Sequence, residues 1–132
     1  MKTTNIVSWV LRLVAAFIMM QTLYFKFTAQ PESIYIFTQV GMEPWGRIGT
    51  GVAELIASIL LLIPATVVLG ALLSIGVMLG AIVVHLFILG IQVQGDGGQL
   101  FAYAMIVLIA SIVLLVIHRE QLVHYRKFVF KS

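Results

Sequence analysis

The chain has 132 residues, room for one domain. Apolar residues make up 61% and charged residues only 10%, against about a quarter charged in a soluble domain; with a mean hydropathy of +1.11, a water-soluble globule is excluded. The net charge of +3 is not gathered into a basic face, which argues against nucleic acid as a partner, and the absence of cysteine rules out iron–sulfur ligation and thiol chemistry in this chain.

A backbone inside a bilayer must satisfy its own hydrogen bonds, so only helices and closed barrels cross. The apolar runs here are long and unbroken, unlike the short alternating strands of a barrel. They predict an all-α, integral membrane four-helix bundle in a single domain.

The first helix is expected over residues 6–27. It is too long for a signal-peptide core, is interrupted by Arg12 and lacks a cleavage site, so it reads as retained. Residues 28–46 are more polar, with Pro31, Glu32, Glu43 and Pro44. Within them Ile34, Tyr35, Ile36, Phe37 and Val40 predict a short helix at the membrane interface, and Trp45 suits the headgroup belt. The second helix is expected over 46–63, ending at Pro64, and the third over 67–92. The Gly95-Asp96-Gly97-Gly98 turn follows. The fourth is expected over 99–118, with a short basic tail over 119–132. Each apolar run meets the roughly 17–25 residues needed to cross.

Lys2, Arg12, Arg119, Arg126, Lys127 and Lys131 lie toward one side, and only Lys26 and Arg47 toward the other. The positive-inside rule then puts both termini in the cytoplasm, and a multi-pass protein of the bacterial inner membrane is expected, with the lipid bilayer as its first partner.

Charged groups are costly within the bilayer and call for a reason. Lys26 falls at the outer end of the first helix. At about 1.5 Å per residue, Glu54 lies roughly 12 Å, His85 roughly 10 Å and Tyr103 roughly 6 Å inside the outer ends of the second, third and fourth. All four helices thus bring a polar group to the outer half. Gly51, Glu54 and Ser58 share one face of the second helix, and Ser74, Met78, Ala81 and His85 share one face of the third. Such small and polar stripes mark packed sides. Gly76-x-x-x-Gly80 reads as a site of close helix approach.

Glu54 and His85 read either as a hydrogen-bonded pair that fixes register or as a proton-handling site, and are expected within hydrogen-bond reach of each other, directly or through one water. No metal site is expected. Haem is disfavoured because His118 and His124 fall at the opposite membrane face from His85. In the first helix, Arg12, Ala16, Met19, Leu23 and Lys26 form one stripe, and Phe17, Gln21 and Tyr24 the opposite one. Two charges cost more in lipid than one amide, so Arg12 and Lys26 are expected inward and Gln21 outward, where a homodimer would satisfy it.

Arg12, Lys26, the Phe37-Thr38-Gln39-Val40-Gly41 segment, Gly51-Val52-Ala53-Glu54, the Leu61-Leu62-Ile63-Pro64 exit and His85 together resemble the DoxX family of small four-helix membrane proteins. The resemblance covers roughly residues 8–118. It implies the four-helix bundle and a quinone-linked redox role. On that basis the chain is expected to be the membrane subunit of such a system, with a redox partner protein carrying the electrons. Glu54 and His85 are the candidate catalytic residues, and Lys26, Tyr103 and Arg12 the candidate ligand-binding ones. The competing expectation is a non-enzymatic accessory or assembly protein whose polar cluster only sets helix packing. A cluster that opens to a cavity favours the first expectation, and a solidly packed one the second.

Overall fold

The structure, a computed structural model, describes residues 2–130; Lys131, counted above among the cations, lies outside them. The helices are α1 (Thr3–Phe27), α2 (Pro31–Val40), α3 (Trp45–Leu62), α4 (Val67–Val84), α5 (Gln99–Ile117) and α6 (Arg119–Phe130). A 3₁₀ turn, Pro64–Thr66, precedes α4, and a π-helical turn, His85–Leu89, extends it. Four helical segments are long and apolar enough to cross a membrane: Thr3–Phe27, Trp45–Leu62, Pro64–Leu89 and Gln99–Ile117. The expected all-α membrane bundle is therefore present.

α1 packs on α3, α3 on α4, α4 on α5 and α5 back on α1. The spans thus form a closed ring in which sequence neighbours run antiparallel. Met19, Leu61, Ala71, Val107 and Leu114 meet in the core, while Phe17, Leu79 and Ile109 face outward. This inside-out distribution is what a bundle solvated by lipid requires. Arg12, Ala16, Met19 and Leu23 are buried, and Phe17 and Tyr24 are exposed, so α1 turns the way the cost of its charges predicts.

Local chemistry sets the ends of the elements. Pro31 starts α2, where its missing N–H costs nothing. Gly41, at φ 81°, ends it, with the Met42 N–H donating to the Phe37 carbonyl at 2.8 Å. Pro64 has no N–H to offer the end of α3, and the freed Leu60 carbonyl accepts from the Thr66 hydroxyl at 2.8 Å. The third span stops at Leu89, short of the expected 92. Gly90, at φ 82°, donates its N–H to the His85 carbonyl at 2.7 Å and turns the chain away. Asp96 then organises the turn into α5: its carboxylate accepts from the N–H groups of Val93 (3.0 Å), Gly98 (2.8 Å) and Leu100 (3.2 Å). Burial alone would raise its pKa, but these donors outweigh burial and hold it below the usual carboxylate range.

Residues expected as a tail carry α6. It docks against the turn between α3 and α4: Gln121 accepts from the Val68 N–H (3.1 Å) and donates to the Pro64 carbonyl (2.8 Å).

Two arginines staple α1 to α3. At the α6 end of the bundle, Arg12 Nε donates to the Leu61 carbonyl, in the last turn of α3. At the α2 end, Arg47 Nη1 donates to the Lys26 carbonyl, in the last turn of α1, while its Nε contacts Glu43 at 3.0 Å. Each helix thus places a cation on the carbonyl-rich, partially negative end of the other.

Candidate functional site

At the α2 end the ring does not close on itself. It encloses a cavity of about 470 Å³ lined by residues from α1, α2, α3, α4 with its π turn, and α5. That is within the size of small-molecule sites, roughly 300–1,000 Å³. The walls are mainly apolar, from Ile18, Val77, Met78, Ala81 and Val84 among others. α2 lies against α1, α3 and the π turn. Its Ser33, Ile36, Phe37 and Val40, at helical spacing, face the cavity, whereas Ile34 and Tyr35 are exposed. The interfacial helix expected from composition is therefore the cover of the cavity.

Polar groups sit on two opposite edges. On the α1–α3 edge, the Lys26 ammonium donates to Glu54 Oε1, and the Thr22 hydroxyl donates to Glu54 Oε2 at 2.7 Å. Side-chain exposure is 16% for Lys26 and 3% for Glu54. The carboxylate is thus held by its partners, while the Lys26 side chain stays partly exposed and lines the cavity. Ser58 donates to the Glu54 carbonyl at 2.8 Å, one turn deeper.

On the α4–α5 edge, His85 Nδ1 lies 3.0 Å from the Gly90 carbonyl. A carbonyl only accepts, so Nδ1 carries the proton, and in the neutral ring Nε2 is an acceptor. Among the described residues Nε2 has no hydrogen-bond partner. The ring packs edge-on against Phe101, centroids 5.6 Å apart. Tyr103 lines the same edge; its oxygen accepts from Gln99 Nε2 at 2.8 Å, leaving the phenolic proton for another acceptor.

Of the residues expected at the site, Lys26, Glu54, His85 and Tyr103 all line this cavity. Glu54 and His85 share it without a direct hydrogen bond, because Lys26 and Thr22 take the carboxylate and Gly90 takes Nδ1. Arg12 does not line it. It lies fourteen residues before Lys26, roughly 21 Å along the helix. There its guanidinium stacks 3.6 Å from the Trp9 ring centroid. Nearby, Ser8 and His118 Nε2 are 2.7 Å apart, and burial, then the charge of Arg12, lowers the His118 pKa. Gln21 is exposed and also borders the cavity.

Gly76 and Gly80 do not mediate close approach: a methyl at either would meet no described atom within 4 Å, and both line the cavity. The close approach on α4 belongs to Gly70, where a methyl would lie 2.8 Å from the Leu61 nitrogen. Thr22 and the α2 face are the site residues the sequence reading missed. Thr22 sits four residues before Lys26, on the same helix face, and that spacing was the available signal.

Among the described residues no three His, Asp or Glu side chains converge as a metal site would need. No curated protein and no solved structure is significantly similar to the chain. The sequence model of the DoxX-like family matches residues 10–116, from the buried stripe of α1 to the last turn of α5, and the chain belongs to that family.

Proposed function

We propose that the cavity binds the head group of a quinone, or of a similarly shaped amphipathic ligand, and that the chain is the membrane subunit of a quinone-linked redox system. The observation that carries this reading is the cavity itself: apolar walls separate a donor edge, Lys26, from an edge bearing the free acceptor Nε2 of His85 and the phenol of Tyr103. A quinone ring has an oxygen at each end and apolar faces between: Lys26 and the Tyr103 phenol can donate to the two oxygens of the quinone, and a hydroquinone hydroxyl can donate to His85 Nε2.

Interconversion of quinone and hydroquinone moves two electrons and two protons. The electrons pass to or from an electron-carrying partner protein. The protons on the ring oxygens exchange with His85 Nε2 on one side and with the Lys26–Glu54 pair on the other. Arg12 keeps no part in binding in this reading.

The accessory-protein reading draws on one observation: Lys26, Glu54 and Thr22 satisfy one another and would fix the register of α1 on α3 with no ligand present. His85 separates the two readings. Asn in its place can still donate to the Gly90 carbonyl but has no atom where Nε2 was. His85→Asn should therefore keep the fold and weaken binding of a tail-less methoxybenzohydroquinone, whose hydroxyl donates to Nε2, roughly three- to tenfold, the worth of one hydrogen bond. Fluorescence titration of the purified protein measures this. Unchanged affinity, or no binding to the parent chain, favours the accessory reading.

The cation distribution further supports both termini in the cytoplasm of a bacterial inner membrane, which puts the cavity in the outer half. A periplasm-dependent reporter fused after Gly95 should be active and one fused after Ser132 inactive; the reverse pattern would invert the site. A homodimer through the exposed Gln21 face is also proposed, and a native mass spectrum holding only monomer would remove it.

A further inference from the structure

The residues that line the cavity are of two kinds. Glu54, His85 and Met78 are buried, at 2%, 6% and 7% exposure. Gly76 and Gly80 line the same cavity and are exposed. A space bordered by both kinds reaches from the bundle interior to the lipid-facing surface, and along α4 it does so at these two glycines.

Their position on the helix is informative. Gly76, Gly80, Val83 and Phe87 follow one another at helical spacing, and Val83 and Phe87 are 52% and 81% exposed. The glycines are therefore a notch in a stripe of α4 that otherwise presents bulky side chains to lipid. Glycine disfavours a helix interior, and packing within the chain does not require it here, because a methyl at either position meets no described atom within 4 Å. Gly76 and Gly80 lie nine and five residues before His85, roughly 13 and 8 Å from its level toward mid-membrane. An independent observation points to a ligand in the same space: His85, nine-tenths buried, lines the cavity with Nε2 unpartnered among the described residues.

We infer that the ligand is a tailed amphiphile whose head lies between Lys26 and His85 and whose apolar chain leaves the cavity over Gly76 and Gly80 into the bilayer. The inference rests on the ligand-binding reading above and deepens it by naming the class of molecule and the residues that select it. Prenyl and acyl chains share the required chemistry. Side chains built on the notch obstruct the exit while leaving the head-group edges intact, so tail recognition and head recognition separate.

The test compares the parent chain with Gly76→Leu/Gly80→Leu in detergent, using a tail-less methoxybenzoquinone, its decyl-tailed counterpart and a lysophospholipid as probes. In the parent chain the decyl-tailed quinone should bind at least tenfold more tightly than the tail-less one. In the double variant that advantage, the ratio of the two affinities, should fall by about fivefold or more. Binding of the lysophospholipid alone, weakened in the variant, would keep the exit and replace the quinone by a lipid. Equal affinities for the two quinones, or a tail advantage that survives the leucines, would overturn the exit while leaving the head-group site standing. Loss of a dimer with the tail advantage retained would also overturn it, and would assign the glycines to self-association. Failure of every probe to bind the parent chain sinks the ligand-binding reading itself.

Discussion

Lys26→Met should cost about 3–5 kcal/mol of stability, the penalty for leaving one partner of a buried ion pair uncompensated. Among the described residues Lys26 is the one cation bonded to the Glu54 carboxylate, whose side chain is 3% exposed. Without it the remaining help is the Thr22 hydroxyl, and the carboxyl must take up a proton or distort the packing of α1 on α3. Glu54→Gln alone should cost less, because the Lys26 side chain is 16% exposed and its flexible stem can lift the ammonium toward the interface. The double variant Lys26→Met/Glu54→Gln should recover most of the loss, since it removes both charges and keeps an amide for Thr22 to bond. Reversible unfolding in mixed micelles gives the three free energies. A Lys26→Met chain as stable as its parent would show that the pair does not form.

The second large effect concerns a glycine that looks unremarkable in the sequence. A methyl on Gly70 would lie 2.8 Å from the Leu61 nitrogen and 3.0 Å from the Ala57 oxygen, both backbone atoms of α3. Backbone cannot swing aside as a side chain can, so Gly70→Leu must push α4 away from α3. The expected cost is about 3 kcal/mol, at the upper end for overpacking. Gly80→Leu is the control: it meets empty space and removes an unfavourable helix glycine, so stability should be unchanged or slightly raised. Equal costs for the two substitutions would contradict the packing described.

That contrast also measures what the sequence could say. Gly76-x-x-x-Gly80 matches a spacing, and a spacing specifies that two residues share a helix face without saying which face. The stripe Ser74, Met78, Ala81 and His85 already marks the packed side of α4, and Gly76 lies two residues, about 200°, from Ser74. Gly70, four residues before Ser74, belongs to the packed side. The four spans and the cover helix were legible because hydropathy and proline or glycine punctuation determine them locally. So was the convergence of Lys26, Glu54, His85 and Tyr103, because depth along a helix can be counted. The pairing within that cluster was not legible. Depth does not say which neighbour a side chain meets, so a direct Glu54–His85 hydrogen bond is replaced by Lys26–Glu54–Thr22 on one edge and His85–Gly90 on the other. Arg12 was placed correctly inward, but the Leu61 carbonyl beside it, left without a partner at the end of α3, is visible only in three dimensions.

The space between Lys26 and His85 is proposed to hold a quinone-like amphiphile. Native mass spectrometry of the protein released from membranes tests it most directly, because it weighs the chain together with what stays bound. The expected spectrum carries the added mass of a prenylated quinone at near one-to-one occupancy, reduced in His85→Asn and in Gly76→Leu/Gly80→Leu. A spectrum showing only the bare chain, or bulk phospholipids held equally by parent and variants, would contradict it.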